Sequence, residues 1–126
     1  MAEKAIPDNI RGQVEARIEQ FNQTELGEGI GYKVRYRGKY LYLERFDQEY
    51  TYQVCRLAYN GEIDNWDFAI YRHSKNKYDP DNWFFHGIEH VDGTVEGAMR
   101  AGLEAYPPMP QHTPFLARVF RFLTGS

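Results

Sequence analysis

Between Tyr32 and Phe46 the chain reads YKVRYRGKYLYLERF, with apolar or aromatic residues alternating with charges. Alternation at period two is the signature of strands with one dry and one wet face, and no helix tolerates it. Gly38 interrupts the run and supplies the positive φ that a tight turn needs. Reading Arg37-Gly38 as a two-residue turn pairs Tyr36 with Lys39, Arg35 with Tyr40, Val34 with Leu41 and Lys33 with Tyr42. Val34, Tyr36, Leu41 and Leu43 then face a core, and Lys33, Arg35, Tyr40, Tyr42 and Glu44 face water. An isolated hairpin is marginal in water, so further strands and a covering layer are required.

The rest of the chain supplies them. Ile10, Val14, Ile18 and Phe21 recur at helical spacing and predict a helix over about 8–24, started by Pro7-Asp8-Asn9 and ended by the glycines at 27, 29 and 31. A third strand spans about Tyr50 to Tyr59 and leads into Asn60-Gly61, a hairpin signal. Trp66, Phe68 and Ile70 define one face of a fourth strand, with a phase slip after Ile63 that implies a bulge or a longer loop. Trp83-Phe84-Phe85 is the candidate for a fifth. Val95, Ala98, Met99, Gly102, Leu103 and Tyr106 form the stripe of a second helix that opens near Asp92 or Thr94 and stops at Pro107-Pro108. Beyond it, a proline-rich connector leads to a short amphipathic helix carrying Phe115, Leu116, Val119, Phe120 and Leu123, too short to stand alone in water. It must dock on its own domain or on a neighbouring copy.

The expected fold is therefore α+β: a four- to five-stranded antiparallel meander flanked by an N-terminal and a C-terminal helix, with a proline-linked helical arm. The domain covers residues 1–106 and the arm 107–126 of a chain of 126 residues, long enough to bury a core without staples. A single cysteine, Cys55, excludes an internal disulfide. No apolar run approaches the length of a membrane span, and Met1-Ala2-Glu3-Lys4 lacks the pattern of a secretion signal, so the expected location is the cytoplasm, away from membranes.

The motif closest to a known chemistry is His86-Gly87-Ile88-Glu89-His90, which fits the H-x-x-E-H spacing of one class of zinc peptidases. That chemistry needs both histidines one helical turn apart, with the glutamate as base. Gly87 and Asp92-Gly93 oppose a helix there, and in an extended segment His86 and His90 lie too far apart to share an ion. His73, Asp79, Asp81, His86, His90 and Asp92 form a looser pool of ligands. Turn formation and helix capping account for the aspartates without a metal. Cys55 sits mid-strand with nothing in sequence to activate it, Ser74 and Ser126 lack a nucleophile-elbow context, and Gly27–Gly31 follows a helix instead of preceding one. Glu62, Asp64 and Asp67 read as solvated edge charges. No cofactor is expected.

Two features point to binding. Nine of the ten tyrosines fall between Tyr32 and Tyr78, and residues 32–45 hold Lys33, Arg35, Arg37, Lys39 and Arg45 against Glu44 alone, in a chain of net charge −3. The leading expectation is a non-enzymatic binding or interaction domain that associates with itself or another protein through the tyrosine face and the arm. The alternative is a single-stranded nucleic-acid binder using Lys33, Arg35, Arg37, Tyr40 and Tyr42, with cations for phosphates and rings for bases. A metal-assisted hydrolase around His86, Glu89 and His90 comes third.

Overall fold

A computed structural model of the protein describes residues 5–108. The proline-linked arm with Phe115, Leu116, Val119, Phe120 and Leu123 lies outside the described residues. Helix α1 spans Asp8–Glu25, and strands β1 (Ile30–Arg37), β2 (Tyr40–Asp47), β3 (Tyr50–Ala58), β4 (Asp67–Arg72) and β5 (Lys77–Asp79) follow. A 3-10 turn at Ile88–His90 precedes helix α2 (Val95–Ala105). The strands form one antiparallel sheet in the order β1-β2-β3-β4-β5, a meander in which every neighbour in sequence is a neighbour in space. The class is α+β, as the alternation and the two helical stripes require.

Helix α1 and helix α2 touch each other and share a face of the sheet. Val14, Ile18 and Phe21 from α1, with Val95, Ala98 and Met99 from α2, meet Leu41, Leu43, Leu57, Phe68 and Ile70 in one buried cluster. The opposite face carries neither helix. Thr94 caps α2, its hydroxyl accepting from the Gly97 N–H while Asp92 accepts from the Thr94 N–H and hydroxyl. Helix α1 starts differently from the sequence reading. Pro7 holds the N-cap with no side-chain cap bond, and buried Ile6 anchors the entry instead.

Two turns set the register of the first three strands. Gly38 (φ 61°) and Gln48 (φ 60°) each open a two-residue connection, the left-handed geometry that matches strand twist. The first turn is Gly38-Lys39, so Arg35 pairs with Tyr42 and Val34 with Leu43. The pairing thus differs by two positions from that expected for an Arg37-Gly38 turn. A two-residue slip returns every side chain to its original face, so the wet and dry assignments are unchanged.

Other expectations are corrected. Asn60-Gly61 does not close a tight hairpin, because β3 ends at Ala58 and β4 begins at Asp67; the longer loop accounts for the phase slip. The fifth strand is Lys77–Asp79, not Trp83-Phe84-Phe85. Only Phe85 of that trio packs inward, stacked on Phe68, while Trp83 and Phe84 are 50% and 94% exposed.

A charged group sits inside the core. The dry face of β2 continues past Leu41 and Leu43 to Arg45 and Asp47, both fully buried. Arg45 Nε and Nη2 donate to the Tyr52 hydroxyl at 2.9 and 2.7 Å, Nη1 donates to the Tyr32 hydroxyl at 3.0 Å, and Nη2 also donates to the Tyr106 carbonyl. Tyr32 in turn donates to the Met99 carbonyl at 2.7 Å. The last turn of α2 holds no basic residue of its own, so the guanidinium supplies the positive charge that its terminal carbonyls favour.

Arg45→Ala removes these bonds and leaves a void, and about 3 kcal/mol of stability is expected to be lost in urea unfolding. The glycines give a second, paired expectation. A methyl at Gly102 collides with the Val54 side chain and the Tyr32 hydroxyl, whereas one at Gly12 meets nothing within 4 Å. Gly102→Ala should cost about 1–3 kcal/mol by overpacking, and Gly12→Ala should gain about 0.5–1 kcal/mol by helix propensity. Thermal melts of the two variants check the opposite signs.

Candidate functional site

The open face of the sheet gathers its chemistry by cross-strand pairing. Arg35 on β1 lies opposite Tyr42 on β2, which lies opposite Arg56 on β3. The Arg35 guanidinium sits 4.2 Å from the Tyr42 ring centroid, and its Nε donates to Glu44 at 2.9 Å. Arg56 lies over Tyr40 at 4.4 Å and reaches Tyr78 on β5 at 5.6 Å, while the Lys39 ammonium stands 5.5 Å from the Tyr40 ring. Tyr78 reaches across β4 and β3 to meet Tyr42 at 5.2 Å. The result is a continuous patch of alternating guanidinium and phenol groups. Burial pushes the Tyr78 hydroxyl up to about 12, with Arg35 pulling the other way, so it stays neutral, and its oxygen is buried without a hydrogen-bond partner.

All four expected binding residues stand on this face: Arg35, Tyr40 and Tyr42 interlock, and exposed Lys33 lies beside them opposite Glu44. Lys33 stands on the edge strand and also borders a groove between α1 and β1 with Glu15 and Glu19. Arg37 is exposed opposite Tyr40. Arg45, counted with the basic stripe in the sequence, points into the core. Arg56 and Tyr78 join the patch unannounced. A bulge explains Arg56: the β2–β3 register shifts between Leu43 and Glu44. Tyr52 therefore faces the core beside Arg45 while Arg56, four residues on, faces water. Simple alternation puts the two on one side, so no count of residues finds Arg56.

The histidines part company. Gly87 adopts φ 103° and the chain turns into Ile88–His90 as a 3-10 turn, not an α-helix or a strand. His86 borders an open depression of about 400 Å³ with Arg72, His73, Asn82, Phe85 and Tyr106. Most polar groups there are engaged: Arg72 donates to Asp79 at 3.2 Å, and His73 Nε2 lies 3.0 Å from the Gln53 carbonyl. His90 instead meets Glu104 of α2 at 2.7 Å. Among the described residues, the side chains able to gather on one ion are Glu89, His90 and Glu104, with His86 outside the group. The peptidase geometry is absent.

The other acids do structural work. Asp79 accepts from the Asp81 N–H, which with Arg72 holds its carboxyl below the usual range. Asp92 is held low by Thr94. Asp64 takes Arg17 at 2.6 Å. Burial pushes the Cys55 thiol far up, leaving it protonated and inert. No family model, curated protein or solved structure matches the chain. Among the described residues, no helix is long and apolar enough to cross a membrane. The fold and the patch together define, among the described residues, a small α+β domain with both helices on one sheet face and the arginine–tyrosine patch on the other.

Cys55 is expected to resist Ellman's reagent at pH 8 in the native protein and to react fully in denaturant. Rapid labelling of the folded chain would contradict its burial.

Proposed function

We propose that the chain is a non-enzymatic binding domain that takes a single-stranded nucleic-acid segment on the open face of its sheet. One observation carries the reading: Arg35, Arg37, Lys39 and Arg56 share that face with the rings of Tyr40, Tyr42 and Tyr78, so that the cations outnumber the carboxylates of Glu44 and Asp67 on the same rows. Cations set among aromatic rings suit a ligand that alternates phosphates with flat bases. The Arg35 guanidinium, half-exposed and lying on Tyr42 alone, can offer its other face for stacking, so that pair need not open to receive a base. The net charge of −3 does not oppose this. At physiological salt, fields from acids elsewhere fade over about 8 Å, and local charge governs contact.

Self-association is the second reading. It is favoured by Trp83 and Phe84, which stand exposed at 50% and 94%. Two large apolar side chains side by side on one loop suit a protein partner better than water.

The deciding experiment is fluorescence anisotropy with a labelled single-stranded homopolymer at several salt concentrations. Binding should weaken steeply with salt, and Arg56→Gln should lower the logarithmic salt slope by about 0.7, the share of one phosphate contact. Arg35→Glu combined with Arg56→Glu should abolish it. No binding at 50 mM salt, with a concentration-dependent dimer in sedimentation, would sink the nucleic-acid reading and leave self-association.

A further inference from the structure

The contact between the Ile88–His90 turn and α2 is unusually close because two glycines permit it. At Gly87 a β-carbon would meet the Ala101 carbonyl oxygen and the Glu104 side chain. At Gly97 it would meet the His90 carbonyl and the Asp92 carboxylate. One glycine lies on each partner, so turn and helix touch backbone to backbone at both ends of the contact. His90 and Glu104 are thereby fixed opposite each other by rigid elements, not by a free loop.

What they hold is chemically overdetermined for a simple ion pair. His90 Nε2 lies 2.7 Å from Glu104 Oε2 and 3.8 Å from Glu89 Oε2. One imidazole nitrogen carries one proton and can satisfy one of these carboxylates well. The second is drawn to the same point, where the two acids repel each other. A divalent cation removes the conflict, because it takes the neutral imidazole and both carboxylates at once. Two ligands on one zinc ion stand roughly 3–3.5 Å apart, given bonds of about 2.0–2.2 Å. One ligand atom from each of the three residues already lies within 4.8 Å of the others. Glu89 and Glu104 are exposed and need only small rotations to close the remainder.

We infer that Glu89, His90 and Glu104 form a site for a divalent transition metal, with zinc the best fit. A nitrogen ligand beside two carboxylates favours zinc, nickel or copper over magnesium or calcium, which prefer all-oxygen sites. Three protein ligands leave at least one position for water. Bound metal would fasten the segment that carries Trp83, Phe84 and His86 to α2. His86, the other histidine of the H-x-x-E-H spacing, takes no part.

The test uses the untagged full chain, stripped with chelator, in a zinc titration against a chromophoric competitor, with cobalt absorption as a second readout. One zinc per chain is expected, with visible cobalt bands typical of nitrogen and oxygen ligands. His90→Ala and Glu104→Gln should each weaken zinc by at least about tenfold, as loss of one of three ligands requires. His86→Ala should leave the affinity unchanged. Far-UV circular dichroism confirms that the surface variants stay folded. No uptake at about 100 µM zinc, or uptake that His90→Ala does not reduce, overturns the site and leaves a plain histidine–glutamate pair.

Discussion

The buried guanidinium of Arg45 is the interaction on which the arrangement of the domain depends. It bonds hydroxyls from β1 and β3 and the carbonyl that ends α2, and Tyr32 extends the network to Met99. A charge removed from water is costly unless its donors are matched, and here they are aimed at fixed oxygens on three elements. Each of those elements is thereby held in one place. Hydrophobic burial alone would tolerate α2 sliding along the sheet, since apolar contacts have little direction. The network forbids it, and Gly102 lets Tyr32 and Val54 come close enough to complete it.

Fixing α2 has consequences at both ends of the helix. Its last turn meets Arg45, and its outer face presents Glu104 to the turn that carries His90. With both helices committed to one face, the other face of the sheet keeps its alternating cations and rings in reach of solvent. The same packing that builds the core therefore decides which face of the sheet is left without a helix among the described residues. Arginine and tyrosine are well matched on such a face, since each ring is partly shielded by a guanidinium that remains hydrated.

How much was legible varied with the range of the interaction. The period-two run in 32–46 and the stripes in both helices report local geometry, and they led to the right elements, order and class. The two-position error in the first hairpin was harmless because strand faces repeat every two residues. The misplaced fifth strand came from treating Trp83-Phe84-Phe85 as a buried apolar unit, when only Phe85 finds a partner, on Phe68. The burial of Arg45 is also legible in the sequence: the alternation that puts Leu41 and Leu43 inside continues without a break to position 45. Period prevails over charge there because three neutral oxygens, on Tyr32, Tyr52 and Tyr106, receive the guanidinium.

By itself, the sequence determined an antiparallel meander with two helices, a core face running through Leu41 and Leu43, and a wet face bearing Arg35, Tyr40 and Tyr42. Those follow from side-chain periodicity, which is a property of neighbours along the chain. Only the tertiary structure decided that Arg56 and Tyr78 complete that face, that His86 and His90 separate, and that His90 meets Glu104. Each of these rests on an event that periodicity does not encode: a β2–β3 bulge beside Glu44, a tyrosine reaching from β5 to Tyr42, a left-handed Gly87 pressed against α2. Such events are settled by packing between elements distant in sequence, where a single extra residue or a missing β-carbon changes which side chains meet.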